Sequence, residues 1–570
     1  MRRALVLALV LGTAGCSLPL PHDVQSVRAV QAPRRQAGDI QVLPPGPKDN
    51  QSPEEVVQGF LGAQANADSH HAIARQFLTT AAAAAWHDDA EVQVYDPNTL
   101  SVQQVPSAGA ATDQAAVGVS ATVSGQVRAD GSYVARVAAT VKDAYRLQQV
   151  KGQWRLSDVP VGLRLTSADR ERSYQPSSLY YLAQAVKDTP AHLVPDQVFL
   201  PVGDDAAATL VRRLLQPPSE AVRGSVSTAF PAGTRVRSVS MSGQGIVTVD
   251  LTPGLDALPP STRQALSAQL VWTLRALGPA FTGLRLLADG SPLKVPTEGE
   301  VQDPGDWTTY DPEGLGPSPP YFFVASRRLR ASVALPAGPA TAGDAGGPGA
   351  VAVDAVAVSP DRTQVALLDG IAPEPVTVRT GPLRGPVYTT GPTALGLASP
   401  TWGSGQYGLW MLQSGRRVVL LPNGKRQLQP VALPSLPPGR LDSLALSRDG
   451  ARAALVIAGN LYVGRVDVVA GFPRIAGLSL VLPKLAHATR VAWASGIELV
   501  VIASLTRDAQ VLRVAVDGSA VTALNSSGLV PVAVAASSAG LLLLAGDGLY
   551  AAAGRGFNRV QSGSAPAFPG

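Results

Sequence analysis

Five short segments in the C-terminal half of the chain align with one another, and their spacing constrains the fold more than any other feature. They are Val356-Ala357-Val358-Ser359-Pro360-Asp361, Pro400-Thr401-Trp402-Gly403-Ser404-Gly405, Leu444-Ala445-Leu446-Ser447-Arg448-Asp449-Gly450, Val491-Ala492-Trp493-Ala494-Ser495-Gly496 and Val532-Ala533-Val534-Ala535-Ala536. With Ser359, Trp402, Ser447, Trp493 and Ala535 as equivalents, the spacings are 43, 45, 46 and 42 residues. Six residues after each anchor comes an apolar strand such as Val365–Leu368 or Leu541–Ala545. A period of 40–45 residues holding several strands and a Ser-x-Asp turn is the signature of a propeller blade. Tyr321–Leu335 adds strand-like sequence ahead of the first anchor, so the spacing predicts five or six blades over residues 320–570.

The remaining 319 residues need other domains, since 570 residues exceed one hydrophobic core. At Ser52-Pro53-Glu54-Glu55, an N-cap, a proline at the first helical position and a capping-box glutamate precede the stripe Val56, Val57, Phe60, Leu61. A second helical stretch runs from Ile73 to Trp86. Strands are expected at Val92–Tyr95, Leu100–Val105, Ala116–Val127, Tyr133–Val141, Arg146–Val150 and Gln153–Leu156. This predicts an α+β domain over residues 52–170 that resembles the cone of nuclear-transport-factor-like (NTF2-like) domains.

A second α+β unit spans residues 193–297. It opens on the strand Leu193–Pro201 and continues with a helix over Asp205–Leu215. A hairpin turning at Ser242-Gly243-Gln244-Gly245 follows, then a long helix after Pro259-Pro260 in which Ser261 and Gln264 form a second capping box. Its residues Phe230-Pro231-Ala232-Gly233-Thr234, Val247-Thr248-Val249-Asp250-Leu251, Gln269-Leu270-Val271-Trp272-Thr273-Leu274 and Leu287-Ala288-Asp289-Gly290 closely resemble the GerMN module of sporulation and germination proteins. That resemblance brings no catalytic residues.

The chain has one cysteine, so an intrachain disulfide and a cysteine-based zinc site are excluded. Cys16 follows Met1-Arg2-Arg3, an apolar run over residues 4–11 and Gly12-Thr13-Ala14-Gly15. Eight apolar residues rise about 12 Å as a helix, far short of a bilayer core of about 30 Å. Residues 1–15 therefore read as a signal peptide. Small residues directly before a cysteine resemble a bacterial lipobox, although Thr13 stands where leucine is preferred. The resemblance makes Cys16 the site of diacylglyceryl and N-acyl modification, two chains that suffice for stable anchoring. Residues 16–51, rich in Pro, Gln and Arg, form the tether from this anchor.

Other motifs carry little chemistry. Seven Lys against forty Arg, scattered along the chain, do not make a nucleic-acid stripe. Gly403–Gly408 fits the dinucleotide fingerprint, but it lies in a blade turn leading into a strand, whereas the cofactor needs a following helix. His70, His71 and His87 with Asp88 and Asp89 are the only candidate metal cluster. Adjacent helical histidines diverge by about 100°, so solvated or capping roles are expected. The pairs Glu54/Glu55, Asp88/Asp89 and Asp204/Asp205 are expected at helix starts. Trp402, Trp410 and Trp493 are expected to pack blades, not sugars. No catalytic residue, cofactor or metal site is expected.

Taken together, the lipobox, the tether, an α+β domain ending in Gly152-Gln153-Trp154-Arg155-Leu156, the module introduced by Leu193-Val194-Pro195-Asp196 and the repeat array resemble the LpqB lipoproteins of actinobacteria. The resemblance implies a non-enzymatic, lipid-anchored protein on the extracytoplasmic face of the cell membrane. It implies binding to the extracellular sensor domain of an MtrB-like histidine kinase, whose two-component system governs envelope homeostasis and division. A module binding cell-wall glycan or peptide is the alternative reading, and an envelope hydrolase a third.

Overall fold

The computed structural model describes residues 44–570, except 67–69, 107–111, 185–191, 204, 297, 316–318, 326–327, 333–352, 384–388, 404–406, 483–486, 505–508 and 555. Cys16, the leader and most of the tether lie outside the described residues.

The first helix, Pro53–Ala63, is capped reciprocally: the Glu55 N–H donates to Ser52 Oγ at 3.2 Å, and the Ser52 N–H donates to Glu55 Oε2 at 2.7 Å. Its apolar face, Val56, Val57, Phe60 and Leu61, is buried. The second helical stretch is two short helices, Ala72–Arg75 and Thr80–Ala85. Between them the Thr79 N–H donates to the Leu156 carbonyl at 2.8 Å, so the backbone joins a strand there and the helix cannot continue. The sheet runs in the order Gln153–Asp158, Tyr133–Val150, Gln114–Arg128, Glu91–Tyr95, Leu163–Thr166, with Ser101–Val105 also on the long central strand. The two strands expected at Tyr133–Val141 and Arg146–Val150 are one strand of eighteen residues. Lys142-Asp143-Ala144-Tyr145 stays paired with Val117–Ser120. Arg164 Nε bonds the Asp143 carboxylate at 2.7 Å, which lets the charged residue remain in the sheet.

In the second unit, Val236–Met241 and Ile246–Leu251 form the expected hairpin, and Gly283–Ala288 lies parallel to its second strand. The helix Pro260–Leu274 crosses over this sheet. Its expected capping box does not form. Pro259 occupies the N-cap with no side-chain bond, and the Gln264 amide is drawn to the Pro296 carbonyl at 3.2 Å. Gln269 is fully buried on this helix because its amide is satisfied at both ends: its Oε1 accepts the Ala229 N–H and its Nε2 donates to the Tyr180 carbonyl, each at 2.8 Å. Leu193–Pro201 pairs antiparallel with Tyr174–Ala183, so this earlier strand belongs to the same layer.

Five four-stranded antiparallel sheets follow, beginning at Val353, Leu397, Leu441, Arg490 and Pro531. A sixth sheet has three strands among the described residues: Arg328–Ala331, Phe322–Ala325 and the C-terminal Ser564–Ala567. The innermost strands touch in cyclic order, and Ser564–Ala567 lies between Pro531–Ser537 and Val353–Val358. The chain thus closes its ring by pairing its last strand with one that precedes the repeats. Trp402, Trp410 and Trp493 are buried between sheets. The Trp402 N–H donates to Ala357 and the Trp493 N–H to Ala445, both carbonyls of a neighbouring sheet at 3.0 Å. No helix among the described residues is long and apolar enough to cross a membrane.

Candidate functional site

The repeated Ser-x-Asp anchor has a local reason. In the third sheet the Ser447 hydroxyl donates to Asp449, while the Arg452 N–H donates back to Ser447 Oγ at 3.0 Å and the Ala451 N–H to Asp449 Oδ1 at 2.9 Å. Ser359 and Asp361 do the same in the first sheet. In these two repeats the anchor therefore ends the innermost strand in a self-satisfied turn, and both turns lie at the same mouth of the ring.

At that mouth the residue between Ser and Asp differs from repeat to repeat: Pro360 in the first, Arg448 in the third. Arg448 reaches across the opening. Its Nη2 donates to the Pro360 carbonyl and its Nη1 to the Pro569 carbonyl, both at 2.6 Å, and its Nε donates to the carbonyl of Glu313. One guanidinium thereby joins the first and third sheets, the C-terminus and the segment that enters from the second domain. Burial lowers its pKa to about 10. Glu313 keeps part of its surface accessible, but its carboxyl is enclosed, and burial pushes it up to about 7. The Gly496 N–H donates to its Oε1 at 2.8 Å and favours the carboxylate, while Asp449 and Asp311 oppose it.

The strand Leu193–Pro201 is the spine of the junction. Leu193, Val198 and Leu200 enter the core of the second domain, and Phe199 enters the core of the first. Pro195 meets the ring: its carbonyl accepts Arg452 Nη2 at 2.7 Å, and its ring lies where a Cβ on Gly496 would come within 2.6 Å of its Cγ. Arg452 is fully buried, 3.6 Å from Asp449 Oδ2 and stacked near Trp493. Asp196 is also fully buried; Ser219 supplies hydrogen bonds from its N–H at 2.8 Å and its hydroxyl at 2.5 Å, while burial raises the carboxyl pKa. The Gln197 amide donates to Asp517 Oδ2 at 3.2 Å, and the neighbouring Arg170 lies over the Phe199 ring. Asp130 of the first domain accepts the Arg213 guanidinium through its carbonyl and the Glu220 N–H through its side chain. The three domains are bolted together at one place.

The other sequence candidates separate. His70 and His71 both adopt left-handed backbone instead of sharing a helix. His71 is buried, contrary to a solvated role, with Nδ1 2.9 Å from Asp88 Oδ2 and its pKa lowered by desolvation. Asp88 and Asp89 lie in the turn before Glu91–Tyr95, not at a helix start, and Arg75 completes the Asp88 pair at 2.9 Å. Among the described residues no cluster of three metal-ligating side chains occurs. Gly403 and Gly408 close a turn between two strands, with the Gly403 N–H donating to the Gly408 carbonyl at 2.8 Å; residues 404–406 lie outside the described set. The junction was missed in the sequence because its buried charges sit singly. The arginine at the anchor position held by Pro360 in the first repeat was the available signal.

Three family models match the chain consecutively: Lipoprotein LpqB, N-terminal domain, over residues 46–171; Sporulation and spore germination, over 178–294; and Lipoprotein LpqB beta-propeller domain, over 338–569. Lipoprotein LpqB of Thermobifida fusca is 29% identical, with 93% of this chain and 92% of that protein covered. Lipoprotein LpqB of Streptomyces coelicolor is 28% identical over 100% of this chain and 98% of its own. Among solved structures, TolB from Acinetobacter baumannii is similar over 44% of this chain and 65% of its own, at 14% identity and a TM-score of 0.34. With the N-terminal domain, the germination module and the propeller in this order along nearly the whole length, the chain belongs to the LpqB lipoprotein family.

Proposed function

We propose that the protein is a non-enzymatic accessory of a membrane sensor, held on the extracytoplasmic face by lipid on Cys16. The body docks on the extracellular sensor domain of an MtrB-like histidine kinase and biases the two-component system that controls envelope homeostasis and division. The observation that carries this reading is the disposition of the domains. The named contacts of the two small domains with the ring fall on turns at a single mouth: 447–452, 496 and 517, with the nearby strand ends at Arg465 and Asp467. Among the described residues none of these contacts falls on the opposite face of the ring, which is the face a protein partner would meet on a rigid support. A tether near a membrane sensor raises the effective concentration of such a contact without any new affinity.

Binding of the full chain in detergent micelles to the purified sensor domain tests the reading. No measurable association at tens of micromolar would overturn it. Retention of purified peptidoglycan instead would favour the cell-wall reading. Cys16→Ala should abolish lipid labelling and release the chain from the membrane fraction; an unchanged membrane fraction would refute the anchor.

A further inference from the structure

The open face of the ring is uneven. In the second sheet, Leu409–Gln413 and Arg417–Leu421 are joined by the turn Gln413-Ser414-Gly415-Arg416, at the opposite end of the strands from the junction. That turn is fixed on both sides: the Ser414 N–H donates to the Gly396 carbonyl at 2.9 Å, and the Leu441 N–H donates to the Gly415 carbonyl at 2.9 Å. Beside it is a cavity of about 470 Å³ lined by Leu395, Gln413, Ser414, Arg416 and Arg417. This is within the usual range for a ligand pocket.

The lining is basic and partly apolar. Arg416 and Arg417 are exposed and form no ion pair or hydrogen bond through their side chains among the described residues. The side chain of Arg440 runs along Gly415 and adds a third guanidinium, which Asp442 engages at 3.4 Å. Leu395 is 60% exposed on the pocket wall, and Ile371 stands exposed on the adjoining turn, whose Glu374 carbonyl accepts the Gly396 N–H. Two unpaired guanidiniums on a rigid turn suit carboxylates, which they can grip bidentately, and exposed leucine suits an aliphatic side chain between them. Among the described residues no aromatic side chain lines the cavity, so these residues offer no stacking platform for a sugar. A concave site favours a chain segment over a flat headgroup layer.

We propose that this pocket binds an acidic segment of a partner protein in which carboxylates alternate with aliphatic residues. The site gives the partner reading above a location, and rests on that reading only for the partner's identity. The probe is a labelled (Glu-Leu)₃ peptide titrated against the full chain in detergent micelles. Binding should weaken with salt, be absent with (Gln-Leu)₃, and fall by about tenfold or more in Arg416→Glu/Arg417→Glu. Lys425→Glu/Arg426→Glu makes the same charge change at the other end of the same sheet and should leave binding within about twofold. Equal loss in both double variants, or loss in neither, overturns the site. Displacement of the peptide by an equal concentration of inorganic phosphate also overturns it, because the pocket would then be a phosphate site. The same variants against the kinase sensor domain separate the two claims. If the parent and Arg416→Glu/Arg417→Glu bind that domain alike, the pocket is not the docking site and the partner reading stands. If the peptide binds and the sensor domain does not, the pocket stands and the partner reading fails.

Discussion

Arg448→Ala should unlatch the ring at its closure. The side chain donates three hydrogen bonds to main-chain carbonyls, at Pro360, Pro569 and Glu313, which belong to segments far apart in sequence. A hydrogen bond involving a charged group is worth about 1.5–3 kcal/mol. The three are not additive, and the freed carbonyls reach water at the mouth, so the expected cost is about 3 kcal/mol, or roughly 100-fold in an opening equilibrium. The location of the loss is more diagnostic than its size. The C-terminal strand Ser564–Ala567 closes the ring on Phe322–Ala325, and Arg448 is what ties the residues just after it to the third sheet. Amide hydrogen exchange should therefore accelerate by roughly 100-fold in 322–325 and 564–567 and much less in Arg452–Ile457, the central strand of the mutated sheet. Arg448→Lys keeps one point charge and should fall between. Exchange at 322–325 and 564–567 within about threefold of the parent, or acceleration spread evenly over all six sheets, would refute the latch.

Further outcomes follow from the same junction. Gly496→Ala places a methyl group against Pro195 and should destabilise by about 1–3 kcal/mol in denaturant titration, with the loss confined to the contact between the second domain and the ring. Glu313 has its folded pKa raised to about 7 by burial, so its contribution to stability is full below the unfolded value near 4.5 and is lost as pH rises through about 7. The unfolding midpoint should therefore fall between pH 5 and 8, and Glu313→Gln should flatten part of that slope, leaving the share of buried Asp196 and Asp517, which shift in the same direction. Phe199→Ala should cost about 3–5 kcal/mol, and its signature is faster exchange in the helix Pro53–Ala63, a different domain from the one that carries the residue.

What was legible in the sequence was whatever repeats or alternates. The ring could be read from five anchors because their apolar strands recur at a nearly constant spacing, two of them with the same serine and aspartate turn, and the first helix from Ser52 and Glu55 because capping is local. The sixth sheet was only half legible. Its strand 322–325 stands out as an apolar run, but its pairing with 564–567 is a contact across about 240 residues that no local pattern records. The break expected between Tyr133–Val141 and Arg146–Val150 falls on Lys142 and Asp143, charges that stay in the sheet where Arg164, from another strand, pairs the aspartate. The second capping box failed for the opposite reason: Ser261 and Gln264 have the right spacing, but Pro296 competes for the glutamine. The junction was hidden because Arg448, Glu313 and Asp517 each look like an isolated surface charge. Only Leu193-Val194-Pro195-Asp196 was conspicuous, and it is the part of the junction that behaves as a strand.

That strand also bears on how the domains depend on one another. In an ordinary chain of domains each core is filled by its own residues, and a linker can be cut without penalty. Here nine consecutive residues serve three bodies: Leu193, Val198 and Leu200 fill the second domain, Phe199 the first, and Pro195 seats the ring. Removing the first domain would expose Phe199 and leave Arg170, which stacks on it, without its partner ring. Removing the ring would take Asp517 from the Gln197 amide and Arg452 from the Pro195 carbonyl, leaving both polar groups without their partners across the junction. Isolated pieces should therefore be less stable than the same pieces in the whole, by an amount set at these few side chains. A partner gripping the open face would meet one body whose orientation is fixed by this strand, so force or strain applied at the ring would pass to the first domain, from which the tether departs.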